Sequence, residues 1–340
     1  MTLKEAYEPF FKIGTAVPRF IFKSEELLQD ICSKYNSITC ENDMKPMFFL
    51  DMEANTAEPE KYDKCPAVTF EVCKPYLDFA RDNKIALRGH TLVWHNQTPR
   101  WFFKQGYRTE EDAPLADRET MLNRLENYIK TVLEYVQTEY PGVIYAWDVV
   151  NEAIEDGGMR ESLWTKTVGE DFVLHAFRFA RKYADKQVKL FYNDYNTFIE
   201  WKREAICERI LKPLVQEELI DGMGMQSHFL MDSDFGEYEK SLRCFGELGL
   251  EIQVTELDIH NADPSEGSMS ALADKYEELF ALLLKAKKEN FAHVTAVIFW
   301  GLKDDVSWLT GFRRERSYPL LFDDQGEPKE AYWRVLKLAE

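Results

Sequence analysis

The stretch ETMLNRLENYIKTVLEYVQTEYPGVIYAWDVVNE, Glu119 to Glu152, changes its hydrophobic period once along its length. Its first part, Glu119–Tyr140, sets Met121, Leu125, Tyr128, Val132 and Val136 at three- and four-residue steps on one face, the spacing of an amphipathic helix. Its second part, Tyr145–Val150, is a short apolar run rich in strand formers, and it ends in Asn151-Glu152. A helix followed by a strand that delivers two polar side chains is the unit that repeats through the chain.

Working outward, strand-like runs lie near Lys12–Val17, Ser37–Cys40, Ile85–His90, Lys189–Tyr192, Gly222–Gln226, Glu251–Thr255 and Val294–Phe299. Helical periodicity lies near Ser24–Tyr35, Thr69–Asn83, Asp171–Ala184, Glu200–Glu217, Phe235–Leu248, Ser270–Asn290 and Glu330–Leu338. Each of eight strand candidates is followed by a helix candidate, which implies a parallel sheet with crossover helices. Eight units suggest a closed barrel over an open doubly wound sheet. With boundaries placed to about two to four residues, seven or nine units fit as well. The expected fold class is α/β, a single (β/α)8 TIM barrel over residues 1–340. No repeat, low-complexity stretch or Pro/Gly/Ser-rich linker divides the chain, so no second, separable domain is expected.

The 340 residues are 45% hydrophobic and 30% charged, a globular composition. Lys and Arg number 42 and Asp and Glu 60, for a net charge of −18. That field repels phosphate backbones and anionic headgroups, so neither nucleic acid nor membrane is an expected partner. The start MTLKEAYEPFF lacks the basic and apolar regions of a signal peptide, and the six cysteines include no CxxC. The expected location is cytoplasmic, with reduced thiols and no metal or other cofactor.

In a barrel, chemistry gathers where strands run into the loops that follow them. Two glutamates stand at such places, Glu152 after the fourth strand and Glu256 after the seventh, in Glu256-Leu257-Asp258. Paired carboxylates are the machinery of glycoside hydrolysis, although on position alone both could be surface acids. Other strand ends carry Glu41-Asn42-Asp43-Met44-Lys45, Arg88-Gly89-His90 through Trp94-His95-Asn96-Gln97, Gln226-Ser227-His228 and Trp300, with Trp308 in the last loop. Amides, an ammonium group and imidazoles bind sugar hydroxyls, and indole faces stack on pyranose rings.

The motifs GHTLVWH (Gly89–His95), WDVVNEA (Trp147–Ala153), NDYN (Asn193–Asn196), GMQSH (Gly224–His228) and TELD (Thr255–Asp258) resemble those of glycoside hydrolase family ten. FWG at Trp300, DDVSW ending at Trp308 and PLLFD (Pro319–Asp323) agree with it, in order from about Tyr7 to Leu338. The resemblance implies retaining enzymes on a (β/α)8 barrel, predominantly endo-β-1,4-xylanases. Carried over by position, it makes Glu152 the acid/base and Glu256 the nucleophile. Asn151 would hold the sugar 2-hydroxyl, and His228, oriented by Asp258, would bond Glu256. Substrate contacts would come from Glu41, Asn42, Lys45, His90, Trp94, Gln97, Tyr195, Gln226, Trp300 and Trp308. Structural roles are expected for Arg88, His95, Asn193 and Asp194, and none in chemistry for His175 or His293. Retention would require the two carboxyl groups about 5–5.5 Å apart. The expected substrate is xylan or xylo-oligosaccharide, with imported short oligosaccharides as the narrower expectation. Two other classes stay open: a metal-dependent barrel hydrolase using His90, His95, His228 and Asp258, and a non-catalytic sugar-binding protein. Both leave the intact Asn151-Glu152 pair unexplained.

Overall fold

A computed structural model describes residues 1–340. Eight principal strands alternate with helices: β1 (Lys12–Val17), β2 (Ser37–Cys40), β3 (Ala86–Trp94), β4 (Ile144–Asn151), β5 (Lys189–Asp194), β6 (Gly222–Met225), β7 (Glu251–His260) and β8 (His293–Phe299). The helices that come after them are α1 (Glu25–Lys34), α2 (Lys74–Asn83), α3 (Arg118–Glu139), α4 (Phe172–Tyr183), α5 (Glu200–Ile206), α6 (Phe235–Glu247), α7 (Glu266–Lys288) and α8 (Glu330–Leu338). The chain divides into two compact units.

The first unit comprises residues 1–41, 195–203 and 223–340. Within it β1 runs parallel to both β8 and β2, with Gly14 opposite Ile298 and Ser37, and β7 runs parallel to β8. A short strand, His228–Leu230, lies parallel to the far end of β7 and sets His228 opposite Asp258. Strand β7 extends five residues beyond the expected Thr255, so Glu256 and Asp258 lie in the strand itself.

The second unit comprises residues 42–194 and 204–222. Here β4 lies between β3 and β5, parallel to both, and the register puts Trp94, Asn151 and Asn193 side by side. Close approach requires a glycine in β3: a Cβ on Gly89 would sit 2.3 Å from the Trp147 ring. Strand interiors buried on both faces read as near-continuous apolar runs, which is how β4 reads.

Helix α3 buries Met121, Leu125, Tyr128, Val132 and Val136, the expected stripe, and Asp117 caps it by accepting from Thr120 N at 2.8 Å. Two helices start away from their expected positions. α2 begins at Lys74, five residues late, because Pro75 suits only a first turn. α7 begins at Glu266, four residues early, under a Ser265 cap. The expected helix Glu200–Glu217 is interrupted by a wide turn over Cys207–Leu211. Pro213 explains it, since its ring clashes with the carbonyl four residues back and it donates no hydrogen bond. No helix is long and apolar enough to cross a membrane.

Candidate active site

Each unit holds one of the two glutamates in a built cluster. In the second unit, β4 ends by turning sharply: Glu152 adopts a left-handed backbone, φ 58°. An unbranched acidic residue gains nothing from that conformation, so the surroundings must impose it. They do. Glu152 N donates to Asn193 O at 2.9 Å, and Arg160 Nε donates to Glu152 O at 3.0 Å. Ala153 N donates to the Tyr192 hydroxyl at 2.9 Å, and that hydroxyl donates to Asp194 at 2.5 Å. The turned backbone is thus bonded at both ends of the bend.

Two uncharged donors meet the Glu152 carboxyl. Trp94 Nε1 donates to Oε2 at 3.0 Å, and Asn151 Nδ2 lies 3.4 Å from Oε1. Asn151 is itself fixed by Asn193 Nδ2, which donates to its Oδ1 at 3.0 Å, as their shared register allows. His95 Nδ1 lies 4.0 Å from Oε2. Beneath this layer Asp148, wholly buried, accepts from Arg88 through both guanidinium nitrogens and faces His90 Nδ1 at 2.8 Å. A buried pair of this kind needs every partner it has. Above it, Lys45 Nζ donates to Asn42 Oδ1 at 2.9 Å and lies 4.9 Å over the Trp94 ring, while Gln97 Nε2 reaches the same Asn42 oxygen at 3.4 Å. Asn42, Lys45, Trp94 and Gln97 therefore form one polar and aromatic wall together with Glu152.

In the first unit, β7 carries Glu256 and Asp258 to the two nitrogens of one imidazole. His228 Nε2 lies 3.2 Å from Glu256 and Nδ1 lies 2.9 Å from Asp258. Ser227, at φ 67°, turns the chain so that the ring faces β7, and Glu256 N donates to Gln226 O at 2.9 Å. Burial opposes a charge on the ring, yet the carboxylates, Asp258 foremost, hold its pKa up at about 10. The ring is an imidazolium at neutral pH, donating from both nitrogens. Trp308 Nε1 donates to the other Asp258 oxygen at 2.8 Å, and its ring lies 4.9 Å from the imidazole. Trp300 meets the same imidazole edge-on at 6.5 Å. Tyr195 lies beneath Lys202 Nζ at 3.3 Å, and Glu41 comes directly after β2 with its N–H on Val17 O.

The loop carrying Trp308 is held from behind. Asp304, buried, accepts from Lys329 Nζ and from Leu320 N, both at 2.8 Å, and burial pushes its carboxyl up to about 6 against the pull of Lys329. His175 pairs with Asp171 on α4, and His293 is exposed at the start of β8.

Several residues of these clusters escape a reading of the sequence. Asp148 sits in mid-strand and reads as core until the register places it against Arg88 and His90. Arg160 comes after a hairpin of two-residue strands, Ile154–Glu155 and Gly158–Met159, too short to carry a period. Tyr192 had a signal: it lies two residues before Asp194, on the same strand face.

Comparison with known proteins matches residues 2–338 to glycosyl hydrolase family 10. Endo-1,4-beta-xylanase B of Butyrivibrio fibrisolvens is 59% identical over the whole of this chain. The chain spans 53% of that protein's length, and 30% of the length of two other curated xylanases that it matches. Among solved structures, the N-terminal modules of Clostridium thermocellum endo-1,4-beta-D-xylanase 10B, complexed with xylohexaose, are 34% identical. They superpose with a TM-score of 0.90 over 100% of this chain and 68% of that one. An intracellular xylanase from Thermoanaerobacterium saccharolyticum is 35% identical, TM-score 0.85, over 98% of this chain and 97% of its own. The (β/α)8 barrel of such structures is the fold class of this chain, as its alternation of eight strands and eight helices implies.

Proposed function

The chain belongs to glycosyl hydrolase family 10, and from that premise we propose that it is a retaining endo-1,4-β-xylanase whose working pair is Glu152 and Glu256. The observation that carries the assignment is the unlike company of the two carboxyl groups. Glu256 touches an imidazolium, which favours its ionised form and suits a nucleophile. Glu152 meets an indole and an amide, neutral donors that position a carboxyl group and suit a residue that must give and take a proton.

In the reaction Glu256 attacks C1 of the xylose at the cleavage point. Glu152, protonated, gives its proton to the departing oxygen, and a glycosyl-enzyme forms. Water then attacks C1, Glu152 takes the proton from that water, and Glu256 is released. Asn151 bonds the 2-hydroxyl as positive charge develops on the ring. Lys45, Asn42, Gln97, Trp94 and His90 bind the sugars on the non-reducing side, with Glu41 as a further contact. Gln226, Trp300 and Trp308 flank the reacting sugar, and Tyr195 meets the leaving group. The reading takes residues 1–340 as one catalytic domain and uses no cofactor.

Support for the substrate comes from the xylohexaose of the Clostridium complex and from the Thermoanaerobacterium xylanase. Structures of two glutamate-to-alanine mutants of that protein hold xylotriose or xylotetraose. The description of that xylanase as intracellular supports a cytoplasmic location here and short imported xylo-oligosaccharides as the natural substrate. The test is incubation with xylotetraose, xylohexaose and cellohexaose, with and without EDTA, read by proton NMR. Internal cleavage of the xylose oligomers with retained configuration, unaffected by EDTA, is expected. Inverted product, EDTA sensitivity or preference for cellohexaose would each break a separate part of the reading. A much faster turnover per bond on long soluble xylan than on xylotetraose would remove the preference for short substrates.

A further inference from the structure

We propose that Lys202 is a positioning residue for the leaving-group side of the reaction: its ammonium group fixes the Tyr195 ring, and through that ring sets how firmly the departing sugar is held. The inference rests on the xylanase reading, which puts Tyr195 against the leaving group, and adds a residue which that reading does not use. Both residues belong to the first unit.

A lysine is almost never wholly buried without a contact that offsets the loss of its water. Lys202 is 1% exposed, whereas Trp201 beside it on the first turn of α5 is 42% exposed, so the helix turns the lysine inward and the indole outward. Lys202 Nζ lies 3.3 Å from the centre of the Tyr195 ring. Other lysines approach tyrosines less closely, Lys61 at 4.6 Å from Tyr62, Lys182 at 4.8 Å from Tyr183 and Lys74 at 5.7 Å from Tyr140. The side chains of those three lysines are more than half exposed. The attraction between an ammonium group and a ring face grows as water is removed from it, so the buried contact at Tyr195 is the strong one. Its counterpart in the second unit is Lys45, also buried, whose Nζ lies over Trp94 in the wall around Glu152.

The backbone around Tyr195 is held by other residues. Ser241, wholly buried on α6, donates from Oγ to Thr197 O at 2.8 Å, and Arg203 Nη1 donates to Phe198 O at 3.3 Å. The Phe198 ring packs 5.5 Å from that of Phe229. These contacts fix the path of the chain from Thr197 to Arg203, while the plane of the Tyr195 ring follows what lies on its face. The ring is half-buried. With the ammonium group on one face, it offers a sugar the other face and the hydroxyl.

The test compares kcat/KM on xylotetraose with that on an aryl xylobioside, whose leaving group is not a sugar. Lys202→Met keeps the stem and removes the charge. It is expected to lose about tenfold on xylotetraose, the scale of a desolvated contact between a cation and a ring, and far less on the aryl xylobioside. The loss should lie in KM, because the ring holds the leaving sugar before and during cleavage alike. Lys202→Arg keeps the charge on a wider, flat group that seats the ring differently, and should lose about threefold on xylotetraose alone; it carries the test should Lys202→Met not fold. In a Tyr195→Leu background neither substitution should cost anything further on xylotetraose, since the coupling runs through the ring. Equal losses on the two substrates, no loss on xylotetraose, or the same loss without the tyrosine ring overturns the positioning role and leaves the xylanase reading intact. Failure of the wild-type protein to cleave either substrate overturns the xylanase reading, and the role of Lys202 with it.

Discussion

The surroundings of Glu152 and of Glu256 differ in the kind of order they impose. Around Glu152 the bonds go first to the backbone: the bend at φ 58° is pinned through Asn193, Arg160 and Tyr192, and the carboxyl meets the Trp94 indole and the Asn151 amide. Around Glu256 the bonds run through side chains, from carboxylate to imidazolium to carboxylate to indole. One region fixes where a carboxyl group sits; the other fixes what charge it carries. A group that cycles its proton needs the first, and a group that must stay ionised until it bonds carbon needs the second.

The contrast is broken most sharply at the carboxyl groups themselves. Glu256→Ala is expected to cut turnover by on the order of 10⁴-fold or more. Azide should restore activity with a product of inverted configuration, read by NMR; a retained product would remove the nucleophile assignment. Glu152→Ala is expected to cost about 10²- to 10⁴-fold on xylo-oligosaccharides, the range of general acid catalysis. Activated aryl xylosides should suffer far less, and equal losses on both substrates would mean Glu152 is not the proton donor.

His228→Gln sharpens the charge side. The pKa of His228 in the folded protein, about 10, lies above the ordinary 6.5, so its contribution to stability is complete below about pH 6.5 and is lost as the pH climbs toward 10. The wild-type Tm should therefore decline over that window, and the variant's decline should be shallower. A parallel decline would show that the ring is not the titrating group. kcat should fall about ten- to a hundredfold, the worth of one charge-assisted bond at the reacting group. The smallest effect is expected from Arg160→Met, which removes the donor to the Glu152 carbonyl and leaves the carboxyl chemistry intact. About a tenfold loss in kcat with little change in KM fits positioning of Glu152, whereas a rise in KM alone would place Arg160 with the substrate contacts.

Much of this was legible from the chain. Period and composition located all eight strands and their helices, because a strand buried on both faces and a helix buried on one leave different spacings. The two glutamates stood out because each comes at the close of an apolar run, Tyr145–Val150 before Asn151-Glu152 and Glu251–Thr255 before Glu256. Pro75 and Pro213 mark two of the three helical departures and carry their own explanation in the ring. The features that depend on register could not be read. Asp148 meets Arg88 and His90 only because His90 lies opposite it, and no spacing within one strand announces that. The bend at Glu152 is likewise invisible, since glutamate has no preference for it. Lys202 was one basic residue among 42 until its burial set it apart.

That bend also bears on which residues position 152 would accept if folding alone were at stake. A left-handed backbone favours glycine or asparagine and costs other residues about 1–2 kcal/mol. The molecule keeps a glutamate there and surrounds it with Asn193, Arg160 and Tyr192 to hold the shape. In a population of variants selected only for heat resistance, position 152 would drift toward Asn or Gly. On the proposed reading, heat resistance and proton transfer make opposite demands on this one residue.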